Sequence, residues 1–258
     1  MCGGLQNSTM FDPYEHMSET LSVPVEIVPA ILTKKFRDIE RDLALLQGTV
    51  KRVQIDAVDG VFAHPKSWPY TDPASFDSIV TEEHGLPHWD TLDFEFDLMI
   101  ADPCAEARNF VRAGASRIVL HAHSPGVLEA FQGLVDMRED GGGLALDVGV
   151  ALLPSDQPDL LEPFESAFDY IQVMGVERIG RQGEPFDQRA LFLVERLRRR
   201  YPRLPIQVDG GVSALSARAL ARAGATRFIV GSAIFGAKDP VAAYRALVAL
   251  VAEPGATA

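Results

Sequence analysis

The sequence predicts an α/β protein in which eight parallel strands alternate with helices and close into a single (β/α)8 TIM barrel. Three observations favour this fold class. Eight short runs rich in Val, Ile, Leu or Phe recur along the chain, as expected of buried parallel strands. Amphipathic stretches lie between many of these runs, and 258 residues suit one such barrel. An open doubly wound sheet is less favoured, because no G-x-G-x-x-G motif follows the first run.

The predicted strands follow one another from residue 25 to residue 231. None is longer than nine residues, and each has the β-branched or aromatic content of a strand. In chain order they are Val25–Pro29, Val50–Ala57, Leu92–Ile100, Arg117–His121, Leu144–Leu152, Phe168–Met174, Pro205–Asp209 and Arg227–Gly231.

Helices are predicted from apolar residues at i, i+3 and i+4 and from capping residues. Gly114 and Gly224 follow two of these stretches, where a glycine often ends a helix, and Ser213 is suited to begin one. The predicted helices are Phe36–Leu46, Asp102–Ala113, Ala190–Arg200, Ser213–Ala223 and a last helix that begins at Asp239-Pro240. The long proline-rich connection from Gly60 to Thr91 is expected to be a binding loop with one helical turn near Ser75–Thr81.

Composition excludes several classes of protein. The chain has 24 Lys and Arg against 36 Asp and Glu, a net charge of −12, which disfavours a nucleic-acid binder. There is no apolar run long enough to span a membrane, and the two cysteines form no metal-binding or redox motif. We therefore expect a cytoplasmic protein, with a flexible N-terminal extension over residues 1–23 and one barrel over residues 24–258.

Carboxylates stand near the ends of three predicted strands. Gln54 and Asp56 are two residues apart, so they share one face of their strand, and Val53 and Ile55 on the other face assign that face to the barrel interior. Asp97 and Asp209 belong to two further strands. A single aspartate would be explained by a local capping role. Three that converge on one barrel mouth instead predict paired, protonated or cation-bound carboxylates at an active site.

The last two predicted strands end in small residues. Gly210-Gly211 follows the seventh strand and Gly231-Ser232 ends the eighth. Barrels of this kind commonly bind phosphate at these two strand ends, because glycine allows the backbone N–H groups to approach the anion closely. The two pairs together therefore predict a phosphate-binding end of the pocket.

Several of these segments resemble, in order, the motifs of ribulose-phosphate 3-epimerases. The likeness extends over about residues 24–245, and D-x-x-D-G combined with V-D-G-G and G-S-A-I-F makes it fairly specific. The matching segments are Val28–Leu32, Ile55–Gly60, Asp97–Ile100, Val173–Met174, Val208–Val212 and Gly231–Phe235.

This resemblance implies a barrel of the ribulose-phosphate-binding type that interconverts D-ribulose 5-phosphate and D-xylulose 5-phosphate. Asp56 and Asp209 match the two aspartates that act as acid and base at C3 of the sugar. Met99 and Met174 match methionines that line the family's pocket, and Gly210, Gly211, Gly231 and Ser232 match its phosphate end. The family binds a divalent cation through two histidines and the two aspartates, and its members often form homo-oligomers.

The sequence departs from that pattern at the metal ligands, because Gln54 and Asp97 replace the two histidines. In one interpretation, the oxygens of Gln54, Asp56, Asp97 and Asp209 bind a divalent cation (Mg²⁺, Mn²⁺, Fe²⁺ or Zn²⁺). This set of ligands suits Mg²⁺ or Mn²⁺ better than Zn²⁺, which prefers nitrogen. In another, His121 and His123 supply replacement imidazoles, although polar lining of the barrel mouth is the favoured explanation of this pair. In a third, the chain is a non-catalytic or altered-specificity sugar-phosphate-binding barrel, with Arg178 and Arg181 contacting the ligand.

We accordingly expect a pentose-5-phosphate 3-epimerase that transfers protons through Asp56 and Asp209. Its partner is expected to be a phosphorylated pentose rather than nucleic acid or a membrane.

Overall fold

The computed structural model describes residues 25–140, 145–165 and 167–252 of the chain. The predicted N-terminal extension, the glycine run 141–143 and the last six residues lie outside the described residues. Eight parallel strands form a closed barrel in the order of the chain, and the first strand pairs with the eighth. The predicted (β/α)8 architecture is therefore confirmed.

All eight predicted strands are present, with ends that differ by a few residues from the sequence-based bounds. They are β1 (Glu26–Ile31), β2 (Arg52–Val58), β3 (Asp93–Met99), β4 (Ala115–His121), β5 (Asp147–Leu152), β6 (Tyr170–Met174), β7 (Ile206–Asp209) and β8 (Arg227–Val230).

The helices lie outside the barrel. They are α1 (Phe36–Leu46), α2 (Pro73–Val80), α3 (Pro103–Arg112), α4 (Val127–Asp140), α5 (Arg189–Arg200), α6 (Ala214–Ala223), α7 (Ser232–Phe235) and α8 (Pro240–Ala252), with a 3-10 helix over Pro158–Phe164. The sequence predicted α1, α3, α5, α6 and the start of α8, and it located α2 as a helical turn. It did not predict α4, α7 or the 3-10 helix. Gly133 lies within α4, where glycine weakens the local helix signal.

Side-chain caps are present at the starts of two of these helices. Asp102 accepts a hydrogen bond from the Ala105 N–H at the start of α3. Ser213 and Ser216 form a reciprocal capping box at the start of α6, and Gly224 ends that helix with a φ of 109°.

Side chains alternate between the two faces of the sheet, as the pattern of β2 predicts. Val53 and Ile55 point outward into the main apolar core, which fills the space between the strands and the helices. Gln54 and Asp56 point to the interior, where buried polar side chains are concentrated. Most buried apolar side chains therefore lie between the strands and the helices, and the side chains along the barrel axis are largely polar.

Ion pairs close the lower end of the barrel, opposite the strand ends that carry the aspartates. Arg52 lies 2.9 Å from Glu26, and Arg117 lies 3.3 Å from Glu26 and 3.5 Å from Glu95. Charged and amide groups thus occupy the axis from its base upward. None of the helices in the described ranges is long and apolar enough to cross a membrane.

Candidate active site

The three predicted aspartates converge at the upper end of the barrel. Asp56, Asp97 and Asp209 each offer a carboxylate oxygen within 4.8 Å of those of the others. Asp97 is closed to solvent, and Asp56 and Asp209 are each 8% exposed. The parallel strands bring them together because their carboxyl ends meet at the same edge of the barrel.

Gln54 bridges the two aspartates that were expected to act as acid and base. Its amide nitrogen Nε2 lies 2.8 Å from Oδ1 of Asp56 and 3.1 Å from Oδ2 of Asp209. Its oxygen Oε1 is turned away, 3.4 Å from the amide nitrogen of Gln207. A metal ligand would have to present that oxygen, so the arrangement makes Gln54 a hydrogen-bond donor to the two carboxylates.

Asp97 receives a hydrogen bond at each of its oxygens. His121 Nε2 lies 2.8 Å from Oδ1, and the Gln172 amide donates to Oδ2 at 2.9 Å. His123 lies at the surface instead, where it is bonded to Asp156 at 2.9 Å. The two histidines thus do not converge on one ligand position. Their positions favour polar lining of the barrel mouth over a role as replacement metal ligands.

A layer of buried polar groups supports the aspartates from below. It comprises Glu95, Gln172 and Gln207 together with Gln54, and all four are closed to solvent. The Gln207 amide donates to Glu95 and, at 2.7 Å, to the oxygen of Gln172. Sequence reasoning missed this layer, although Glu95 and Gln207 stand two residues before Asp97 and Asp209 and so share their strand faces.

Burial and mutual repulsion keep protons on the aspartate pair. Loss of solvation, reinforced by the negative charge of Asp97, raises the pKa of Asp56 to about 8, while the Gln54 hydrogen bond lowers it. Burial, followed by the charge of Asp56, raises the pKa of Asp209 well above its usual range. Near neutral pH the pair therefore holds at least one proton, and it can both donate and accept.

A pocket opens directly above this pair. Its cavity holds about 50 Å³ and is continuous from the aspartates to the ends of β7 and β8. The pocket-lining side chains and backbone include those expected from the sequence, namely Asp56, Met99, Met174, Asp209, Gly210, Gly211, Gly231 and Ser232. Asp97 lies beneath it, bonded to His121 and Gln172.

The end of the pocket predicted to bind phosphate requires glycine at residue 211. Gly211 has a φ of +65°, and a Cβ on it would stand 2.7 Å from the Cα of Phe186. Gln182 lies beside Gly231, because a Cβ there would meet its amide nitrogen at 3.0 Å. The segment between β6 and α5 therefore packs directly on this end of the pocket.

The two arginines of that segment have different surroundings. Arg178 forms an ion pair with Glu184 at 2.8 Å and points to solvent. Arg181 lines the pocket, and its Nε donates to the carbonyl of His64 at 3.2 Å. This bond ties the segment after β6, which lines the pocket, to the long loop after β2.

In ligand type and spacing alone, the three carboxylates suit a hard divalent cation, but the Gln54 amide nitrogen lies between two of them. Their oxygens are close enough to share one ion, and carboxylate oxygen is the ligand preferred by Mg²⁺ and Mn²⁺. Gln54 fits it less well, since its nitrogen faces the carboxylates.

The chain resembles known proteins over most of its length. The model of the ribulose-phosphate 3 epimerase family matches residues 26–235. The ribulose-phosphate 3-epimerase of Schizosaccharomyces pombe is 28% identical over 219 residues, which cover 84% of this chain and 90% of that protein. The enzyme of the same name from Mycobacterium tuberculosis H37Rv is 28% identical over 234 residues, covering 86% of this chain and 90% of that protein.

Solved structures share the fold at lower identity. A 3-hexulose-6-phosphate synthase is 21% identical with a TM-score of 0.62, and the match covers 88% of this chain and 100% of that one. The KGPDC of Streptococcus mutans, in complex with a pentose phosphate, is 17% identical with a TM-score of 0.65, and the match covers 88% and 97% of the two chains. The family match spans nearly the whole barrel, and the chain therefore belongs to the ribulose-phosphate 3-epimerase family.

Proposed function

We propose that this protein interconverts D-ribulose 5-phosphate and D-xylulose 5-phosphate by proton transfer at C3. The observation that carries the proposal is the buried pair Asp56 and Asp209, which opens into a pocket that ends at Gly210 and Gly211. Membership of the family supports the same reaction class, and the pentose phosphate bound to the Streptococcus mutans protein supports a phosphorylated pentose as substrate.

The reaction needs one ionised and one protonated carboxyl group on opposite sides of the sugar. The ionised group takes the C3 proton, and the electron pair of the broken C–H bond passes to the C2 carbonyl, which gives a planar enediolate. The protonated group then delivers its own proton to the other face of C3. Asp56 and Asp209 suit these roles because burial keeps a proton on the pair near neutral pH.

The remaining pocket residues fit the substrate. Met99 and Met174 are buried beneath the pocket and present apolar, polarizable side chains to a planar intermediate. The backbone N–H groups at Gly210, Gly211 and Gly231 would bind the phosphate oxygens in this proposal. Phosphate binding at this end would hold C3 over the aspartates.

A divalent cation would be held by Asp56, Asp97 and Asp209, whose oxygens favour Mg²⁺ or Mn²⁺ over Fe²⁺ or Zn²⁺. Such an ion supplies positive charge near the oxygen on which negative charge develops. Gln54 would join it only if its amide turned over, because its oxygen now faces Gln207.

Isotope exchange in D₂O tests the proposal. We expect the protein to release xylulose 5-phosphate that carries deuterium at C3, and Asp56→Asn or Asp209→Asn to slow inversion at least about a thousandfold. Each variant retains one carboxyl group, so we expect it to exchange the C3 hydrogen of one epimer only. Asp136→Asn, on the exposed face of α4, is the matched control and should leave the rate unchanged. Absence of both inversion and exchange in the folded protein, with and without added Mg²⁺ or Mn²⁺, would refute the proposal.

A second candidate is a sugar-phosphate-binding barrel without epimerase activity or with another substrate. The replacement of both family histidines by Gln54 and Asp97 favours it. This candidate predicts that ribulose 5-phosphate binds in calorimetry but gains no deuterium. Location in the cytoplasm and self-association stay predictions, which cell fractionation and sedimentation would check.

A further inference from the structure

The Gln54 amide occupies the space between Asp56 and Asp209 in which a shared cation would lie. An amide nitrogen carries two hydrogens, and the distances of 2.8 Å and 3.1 Å direct one to each carboxylate. Each hydrogen bears partial positive charge, so the amide offsets the repulsion between the two carboxylates. A cation bound to the same two oxygens would have to displace it.

The orientation of this amide is set from the layer below. Gln54 Oε1 lies 3.4 Å from Gln207 Nε2, whose two hydrogens point chiefly to the nearer oxygens of Glu95 and Gln172. If the Gln54 amide were reversed, its oxygen would face both carboxylates and its nitrogen would face the nitrogen of Gln207. The nitrogen would then be unfavourable opposite Gln207 in a region closed to solvent, and the oxygen would be satisfied only by a protonated carboxyl group.

Gln207 is itself oriented by Glu95. Its nitrogen donates to Glu95 and lies 2.7 Å from the oxygen of Gln172, so reversal would set its oxygen against two other oxygens. Gln172 is thereby also fixed with its nitrogen toward Asp97, 2.9 Å from Oδ2. We call Gln54, Gln172 and Gln207 the amide cluster. Glu95, at its lower end, accepts a hydrogen bond from the Gln207 nitrogen and so favours this direction of the Gln207 amide.

We propose that Glu95 and Gln207 are positioning residues that keep the Gln54 nitrogen between Asp56 and Asp209, so that the amide cluster stands in place of a tightly bound divalent cation. Gln207 donates to no aspartate in the described structure, and it acts through Gln54 and Gln172. If the protein is the proposed epimerase, chelators should not inactivate it, and this consequence rests on the proposed function. The consequence for metal binding does not.

Direct titration of the metal-free, full-length protein with Mn²⁺ by calorimetry tests the proposal. We expect weak binding by the unaltered protein. Gln54→Glu keeps the size of the side chain and replaces the amide nitrogen by oxygen, so we expect its Mn²⁺ affinity to rise at least about tenfold. Gln207→Met frees the Gln54 amide to turn its oxygen inward, so we expect a smaller rise in the same direction.

Gln132→Met is the matched control, because Gln132 lies on the exposed face of α4 and bonds only to Asp136 among the described residues. It should bind Mn²⁺ as the unaltered protein does. One tightly held ion per unaltered chain, by elemental analysis and titration, would overturn the proposal. A fall in affinity for Gln54→Glu would do the same. Gln54→Glu keeps the test decisive if Gln207→Met does not fold, and deuterium exchange measured separately reports on the proposed reaction.

Discussion

The imidazole Nε2 of His121 lies 2.8 Å from Oδ1 of Asp97, and both side chains are closed to solvent. One residue of β4 therefore holds the innermost aspartate of the site in place. A buried carboxylate that loses such a partner retains its cost of desolvation without the compensating bond.

We expect His121→Leu to lower the free energy of unfolding by about 1–3 kcal/mol, since it leaves Asp97 with one donor instead of two. His123→Leu is the matched control, because His123 is 46% exposed and bonds to Asp156. Its cost should stay below about 1 kcal/mol. Urea unfolding of both variants at one pH checks the difference, and equal costs would contradict a structural role for His121.

Stability should depend on pH through Asp56. Burial raises the pKa of Asp56 to about 8 in the folded protein, whereas an unfolded aspartate ionises near pH ~4. The folded state thus keeps a proton that the unfolded state releases. This contribution to stability is complete below about pH 4 and is lost as the pH rises through about 8.

Between those limits the free energy of unfolding should fall by up to roughly 1.4 kcal/mol for each pH unit from this group. Asp56→Asn cannot ionise, so its stability should fall less steeply with pH. Urea unfolding at pH 5.5, 6.5 and 7.5 with a chelator present compares the two slopes. Parallel slopes would show that Asp56 ionises normally in the folded protein.

Gly149 should tolerate no side chain, for a steric reason. A Cβ on it would stand 2.5 Å from ring atoms of Tyr170 on the neighbouring strand. We expect Gly149→Ala to destabilise the protein by about 1–3 kcal/mol, and the further change Tyr170→Leu to recover part of that loss. A double-mutant cycle by urea unfolding measures the recovery, and strictly additive effects would exclude the contact as the cause.

Gly211→Ala should weaken binding of the phosphate. Its φ of +65° and the 2.7 Å approach of Phe186 force the backbone to move if a Cβ is added. We expect KM for ribulose 5-phosphate to rise at least about tenfold, while kcat changes less, because the aspartates stay in place. Steady-state kinetics checks this expectation, with Gly133→Ala on α4 as a control that meets no atom within 4 Å. A fall in kcat at constant KM would assign Gly211 another role.

The fold could be predicted because its signals are local. Each parallel strand is buried on both faces, so it reads as an apolar run, and several helices carry caps that can be recognised without neighbours. Asp56 and Asp209 could be placed at one barrel mouth because every strand end of a barrel faces the same way.

The partners of the site residues could not be predicted in the same way. The period of two assigns Gln54 to the interior, but the curvature of the barrel brings its amide to Asp56 and Asp209, and the neighbouring amides decide which end faces them. The bond between His121 and Asp97 joins two strands at a distance that no spacing encodes. The period of two along a strand, applied to Glu95 and Gln207, would have identified the supporting layer. It would not have given the direction of the amides in that layer.

The placement of the apolar core outside the strands has a consequence for how such a protein can change over evolutionary time. Apolar burial, the main source of stability, resides between the sheet and the helices. Exchanging inward-facing side chains therefore removes little of it, provided that each new polar group finds a partner. Residues such as Gln54 and Asp97 can therefore replace imidazole ligands within one scaffold. The catalytic residues at the barrel mouth can diverge while the fold stays constant.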